Sequence, residues 1–274
     1  MRFSEGLQPE GLQNMEGSEK GMNGMPPEGG EKGMDVMQPE GGEQFLECEK
    51  VWVYHLLIMA AGWFGAYTFL LRGGVFCNAQ TANVVLFAMA LGNGEWSKAA
   101  YLLLPIGAYF AGAFISEYLG KSVKRLHFLR FDTMLVGFEA LVVILLGFMP
   151  ARWPDQICQV ALNFICSMQF NTFRQVQGVP VATTFVTNHI RQVGHYSAKL
   201  LRHHTQENRD RIAIHSQLIL YFIVGAVVST VCCRLFALRS IWGSALLLGA
   251  VFCGLARADR GNERGMMEKV PHGH

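Results

Sequence analysis

Charge is scarce in this chain: 16% of its 274 residues are Asp, Glu, Lys or Arg, whereas 51% are hydrophobic. So little charge cannot furnish the surface of a soluble domain, and the sequence reads as a membrane protein. Paired cysteine motifs are missing too. The seven cysteines, Cys48, Cys77, Cys158, Cys166, Cys232, Cys233 and Cys253, are odd in number, include no CxxC pair, and with one exception lie in or beside apolar runs. Buried reduced thiols account for them better than a disulfide or a metal centre. No basic segment followed by an apolar core opens the chain, so its start does not read as a signal peptide. Nor is there a nucleophile-base-acid set, a phosphate-cradling glycine loop or a metal-ligand spacing, His272 and His274 being too few and too distal. Catalysis has no positive support, the chain is read as no enzyme, and no cofactor is implied.

What charge there is falls unevenly. Residues 1–50 carry eleven Asp/Glu against four Lys/Arg, a net −7, which leaves ten against nineteen and a net +9 for the remainder. That opening stretch repeats Pro-Glu-Gly at 9–11, 27–29 and 39–41 among six methionines, Met1, Met15, Met22, Met25, Met34 and Met37. It has too few aliphatic clusters to offset its ordering entropy, so a disordered acidic tail is expected. The methionines admit a soft-metal reading, but no Cys or His accompanies them before Cys48, and a solvated tail is the plainer account. The basic residues of the remainder sit in short loops between apolar runs. That pattern orients a chain in a bilayer; it does not follow a nucleic-acid backbone.

From residue 51 six segments are long and apolar enough to cross about 30 Å of hydrocarbon, near 52–71, 99–119, 131–149, 156–173, 212–233 and 238–256. A bilayer leaves no solvent for unpaired backbone groups, so all should be helices. Two further stretches, 73–93 and 179–201, fall short. The apolar run of the first reaches about halfway across, and the second is polar and basic from His189 to Arg202. Displacing the sequence by 105 positions brings Gly73 onto Gly178, Asn83 onto Asn188, 52–71 onto 156–173, and 131–149 close to 238–256. The segment 99–119 meets 212–233 after an insertion of about eight to ten residues. Three basic regions stand out: Lys121, Lys124, Arg125 and Arg130; Arg191, Lys199, Arg202, Arg209 and Arg211; and Arg257, Arg260 and Arg264. All three face the cytoplasm only when the two short stretches dip in and return. That gives six spans, two re-entrant half-helices, cytoplasmic termini and two halves of opposite orientation. The expected architecture is all-α, a polytopic helix bundle. It has a disordered tail at 1–50, a membrane domain at 51–256 with repeats near 51–150 and 155–256, and a polar C-terminal tail at 257–274.

Two polar stretches lodge among these apolar runs: Leu71-Arg72-Gly73-Gly74-Val75-Phe76-Cys77-Asn78-Ala79-Gln80-Thr81-Ala82-Asn83, and Asn171-Thr172-Phe173-Arg174 followed by Gly178-Val179-Pro180-Val181-Ala182-Thr183-Thr184-Phe185-Val186-Thr187-Asn188. On these residues the chain, over about 50–256, resembles the YoaK family of small bacterial integral membrane proteins. It departs from the common pattern at Ala82 and Asn188, where many members carry glycine, and at Ala66, where many carry an acidic residue. The resemblance implies a polytopic protein of the bacterial cytoplasmic membrane, from a family often labelled permeases, and it names no substrate.

Glycine permits the turns of such loops, and Thr81 or Asn78 in the first and Thr183 or Thr184 in the second are suited to cap the short helices. Two helix N-termini facing each other at mid-membrane attract an anionic or strongly dipolar solute. Asn78, Gln80, Thr81, Asn83, Asn171, Thr183, Thr184, Thr187 and Asn188 are therefore the candidate binding residues, with Gln169 a further donor and acceptor. A second reading makes the same residues caps and cross-links only. Glu139 is a lone carboxylate within an apolar run. It is a candidate carrier of a coupled proton, or else a structural partner of Arg72, Arg174 or a helix N-terminus. The expected function is a permease for a small polar or anionic solute, with a channel or a non-transporting scaffold as alternatives. The expected partners are the lipid bilayer and that solute, with no nucleic acid, and a homo-oligomer is compatible with the sequence.

Overall fold

The computed structural model describes residues 45–122, 125–126, 129–266 and 271. The expected disordered tail and its methionines, up to residue 44, lie outside the described residues, as do residues 267–270 and 272–274 of the expected C-terminal tail. Within them the chain is all-α apart from two tiny hairpins. Eight helices follow in order: α1 Val51–Leu71, α2 Gln80–Gly92, α3 Trp96–Ser122, α4 Phe131–Gly147, α5 Asp155–Thr172, α6 Thr187–Arg202, α7 Gln206–Phe236 and α8 Trp242–Arg260. Each long apolar run of the sequence is a helix, and so is each of the two short stretches.

Three stretches are long and apolar enough to cross a bilayer: Val51–Leu71, Trp96–Gly120 and the continuous Gln206–Arg260, which holds both α7 and α8. The other two long helices differ for physical reasons. α4 has 17 residues, and α5 carries Gln159, Asn163, Ser167 and Gln169, all buried, so its polar face turns inward. α2, at 13 residues, is about 20 Å long and too short to span. Outward faces are apolar: Leu103, Phe110, Phe114, Leu235 and Leu246 are all exposed. Phe110, Phe114 and Tyr118 stack along α3 at 6.5 and 6.4 Å. Such continuous exposed apolar surface is the mark of a protein that meets lipid.

α1 is the central helix and is buried along most of its length. It runs parallel to α7 in a ladder of close approaches: His55 bonds Gln217 at 3.2 Å, Gly225 lies against the main chain of Met59, and Ser229 donates to the carbonyl of Trp63 at 3.0 Å. α5 is likewise parallel to α3, with Gly112 against the main chain of Phe164 and Asn171 donating to Ser116 at 2.9 Å. The glycines matter because a Cβ at 112 or 225 would overlap backbone atoms of the facing helix. α1 and α5 themselves are antiparallel. Tyr54, near the start of α1, donates to the carbonyl of Gln175 beyond the end of α5, and Gln159, near the start of α5, donates to the carbonyl of Arg72 beyond the end of α1 at 2.6 Å. α4 and α8 pack in antiparallel, Gly147 against Trp242 and Gly137 against Phe252.

Residues 45–50 belong to this bundle and not to a tail. Leu46 and Cys48 are buried, Glu47 N–H donates to Glu263 at 2.5 Å, and Gln177 N–H donates to Glu49 O at 3.1 Å. The short apolar residues of this turn have enough surface to bury, which the Gly-Met-Glu stretch before them lacks. All seven cysteines are free thiols, five of them buried, with Cys253 exposed.

Candidate functional site

After Leu71 the chain turns on Gly73 and Gly74, both at positive φ (76° and 71°), and runs back alongside α1. Asn78 donates to the carbonyl of Ala61, halfway along α1, at 3.0 Å. Gln80, the first residue of α2, donates to Asn163, halfway along α5, at 2.6 Å. Asn83, wholly buried, donates to the carbonyl of Phe76 at 2.6 Å and accepts from its N–H at 3.3 Å, and it also donates to Gln80 at 3.3 Å. One amide thereby closes the whole turn. The tip of this first loop, Cys77 and Asn78, rests near the middle of the bundle.

The second loop enters from the other end. It turns at Gln177 (φ 48°) and Gly178 (φ 79°) in a hairpin of Gln175–Val176 with Val179–Pro180. Thr183 and Thr184 are buried. Gln169 donates both to Thr183 O at 3.3 Å and to Leu57 O at 3.4 Å, and Thr184 sits beside the hydroxyl of Tyr109. Leu57 and Ala61, the α1 residues at the level of the two tips, lie four residues apart, about 6 Å of helix rise. The thiol of Cys166 on α5 meets that of Cys77 and lies within electrostatic reach of Glu139. Glu139 is fully buried, and neither carboxyl oxygen has a hydrogen-bond partner among the described residues.

The expected residues therefore fall into groups. Asn78, Gln80 and Asn83 come together at the first tip, and Thr183 and Thr184 form the second. Thr81 and Thr187 are exposed. Asn171 lies apart, bonded to Ser116 and Arg174 near Glu117. Asn188 does not repeat the part of Asn83: it is half-exposed and accepts from Arg191 at 3.4 Å. The residue after it, His189, is the buried one, bonded to Ala182 O and to His215. The capping expectation is corrected as well. The N-caps are Ala79 for α2 and Val186 for α6, neither with a side-chain cap, because Asn78 turns to α1 and Thr183 to α5. Nor is Glu139 the partner of Arg72 or Arg174: Arg72 pairs with Asp155 at 3.3 Å and Arg174 with Glu117 at 2.8 Å.

Sequence reasoning missed Asn163, Gln159 and the histidine pair. Asn163 and Gln159 sit four residues apart on one face of α5, a signal that a search for polar positions at helical spacing would have found. Among the described residues no group of three or more His, Cys, Asp or Glu is placed to hold a metal ion.

The family described as Protein of unknown function (DUF1275) matches residues 53–254, and the chain belongs to that family. Neither the curated proteins nor the solved structures contain a match to the chain.

Proposed function

We propose that this chain is a six-span secondary transporter for a small polar or anionic solute, bound between the two loop tips, with Glu139 carrying a coupled proton. The observation that carries the reading is two polar loop tips held at neighbouring levels of α1, Asn78 at Ala61 and Thr183 through Gln169 at Leu57, with a fully buried carboxyl, without a partner among the described residues, in electrostatic reach of Cys166. Backbone at mid-membrane depth is tolerated where protein or a water-filled cavity satisfies it, and broken helices of that kind frame solute sites. The N-termini of α2 and α6 lack side-chain caps, which leaves N–H groups for an anionic or dipolar guest. A carboxyl at such depth is neutral unless paired, and that suits a group which alternately takes and releases a proton.

The proposal includes an inverted repeat, and the packing supports that reading. Met59 and Phe164, the residues faced by Gly225 and Gly112, are 105 positions apart, and the two glycines are 113 apart, in keeping with an insertion of eight residues. Tyr54 and Gln159, which donate to the loops beyond α5 and α1, are again 105 apart. Gly137 with Phe252 and Trp242 with Gly147 exchange under the same displacement, as expected of helices across a two-fold axis. On this reading the basic loops, and with them both termini, face the bacterial cytoplasm, as the likeness to YoaK proteins implies.

One observation favours the scaffold alternative: the amides of Asn78, Gln80 and Asn83 are already bonded within the protein. The test is an untargeted metabolite comparison of cells lacking and overproducing the protein, followed by uptake of the differing solute into proteoliposomes under an imposed pH gradient. Gradient-driven accumulation that disappears in a folded Glu139→Gln variant is the expected result. Identical metabolite profiles would leave the scaffold, and accumulation undiminished in Glu139→Gln would remove the proton from the mechanism.

A further inference from the structure

The buried pair His189 and His215, where α6 meets α7, is used by nothing above. Both side chains are wholly buried. His189 Nε2 lies 2.6 Å from the carbonyl oxygen of Ala182, and the two Nδ1 atoms are 2.9 Å apart. These contacts fix where the protons are. A carbonyl only accepts, so His189 carries its hydrogen on Nε2. In a neutral ring its Nδ1 is then a lone pair, so His215 must donate from Nδ1. The other nitrogen of His215, Nε2, is left as a bare lone pair, buried and without a partner among the described residues. Buried acceptors are nearly always satisfied; this one is open to a proton, which would turn it into an N–H donor while leaving both existing hydrogen bonds in place.

We propose that His189 and His215 form a proton-binding site in which His215 Nε2 accepts one proton from solvent and His189 is the positioning residue that holds His215 in its Nδ1–H tautomer. In this step an N–H bond forms at His215 Nε2 as an O–H bond of a hydronium breaks, so a neutral pair and a hydronium become a pair of charge +1 and a water. The second repeat carries this chemistry where the first does not: displaced by 105 and 113 positions, His189 and His215 fall on Val84 and Leu102, so the fold itself does not require imidazoles there. The Tyr196 ring stacks on His215 at 6.2 Å, and Arg211 lies over the Tyr196 ring at 5.1 Å. The charged and titratable groups that face the pair are Arg191, His195 and Lys199 on α6, Arg211 with its partner Glu207 on α7, and from α1 His55, which contacts α7 at Gln217 and Tyr221. The loop before α6 contributes only the carbonyl of Ala182. The site stands on this geometry alone and does not depend on transport or on Glu139.

The test is nitrogen NMR of the intact protein, labelled at histidine and held in lipid nanodiscs, titrated from about pH 8 to about pH 4. His215→Asn, which keeps a donor at the Nδ1 position and removes the base, assigns the His215 signals by their loss. The expected result is a His215 that is Nδ1–H at the alkaline end and gains a second proton on Nε2 during the titration, while His189 stays neutral. His189→Gln, which keeps the donor to Ala182, should return His215 to the Nε2–H tautomer common in free imidazole. A His215 already Nε2–H at the alkaline end, or one that stays neutral as long as the protein is folded, overturns the proposal and leaves the pair as a helix clip. Should either variant fail to fold, the wild-type spectrum at the two pH extremes decides the matter.

Discussion

The two loop tips follow similar paths into the bundle and are fastened by different chemistry. At the first, Asn83 grips the N–H and the carbonyl of Phe76 with one amide, a fastening that no proton in the physiological range can alter. At the second, His189 and His215 link α6 to α7 and to the carbonyl of Ala182, and imidazole does respond to protons. Their helices differ in the same sense. α2 has no charged residue, whereas α6 carries Arg191, Lys199 and Arg202. The backbone path is thus a property of the helix packing around it, while the side chains that fasten it are free to specialise.

The two glycine contacts, Gly225 with Met59 and Gly112 with Phe164, can be broken equally. A leucine at Gly225 must displace the main chain of Met59, and one at Gly112 that of Phe164. Overpacking against backbone has no rotamer escape, and each substitution should cost about 3 kcal/mol or more. Loss of monodisperse protein from detergent extracts is expected for both variants. A large effect at one glycine and none at the other would break the equivalence of the halves.

A smaller effect separates the two asparagines that the sequence aligned. Asn83→Leu leaves the N–H and carbonyl of Phe76 without their partner, at a cost of roughly 2–5 kcal/mol. Asn188→Leu loses only a half-exposed contact to Arg191 and should stay within about 0.5 kcal/mol. Thermal unfolding of the two variants in the same detergent measures the difference directly. Equal losses would restore Asn188 as the twin of Asn83.

That difference also marks how far the sequence could be read. The helices built on long apolar runs were legible, because such runs leave a chain in a bilayer no other structure; α6, polar and basic, was expected as a half-helix from the loop charges instead. The turns at Gly73 and Gly178 were legible, since both need positive φ. Which polar side chain bonds to which was not. Asn78 and Thr183 sit where helix caps belong, yet each reaches a neighbouring helix, and only the crossing of α1 with α5 brings those carbonyls near. Asn163 escaped notice because its partner, Gln80, is 83 residues away. His215 escaped because a lone histidine in an apolar run has no periodicity to betray a partner on another helix.

The contrast extends to the two ends of the bundle, where the smallest effect is expected. At the end formed by Arg72, the cation is buried and its partner Asp155 is 41% exposed, so the carboxylate keeps its water. At the opposite end it is the carboxyl of Glu263 that is buried, taking the N–H of Glu47 and lying 3.8 Å from Arg130. Burial pushes Glu263 above the ordinary carboxylate value of 4.5; the Glu47 N–H and Arg130 pull the other way, and Asp259 adds to the rise. A carboxyl raised in the folded state binds its proton more tightly there than in the unfolded chain. Its contribution to stability is complete below the ordinary value and fades as pH climbs through the raised one. Wild-type protein should therefore lose a little stability as pH rises from 4.5, and Glu263→Gln, whose side-chain oxygen still accepts from Glu47, should lack that decline. Unfolding midpoints of both proteins across the same pH series provide the comparison. Parallel curves would mean that water reaches Glu263 as freely as it reaches Asp155, and the two ends would then be fastened alike.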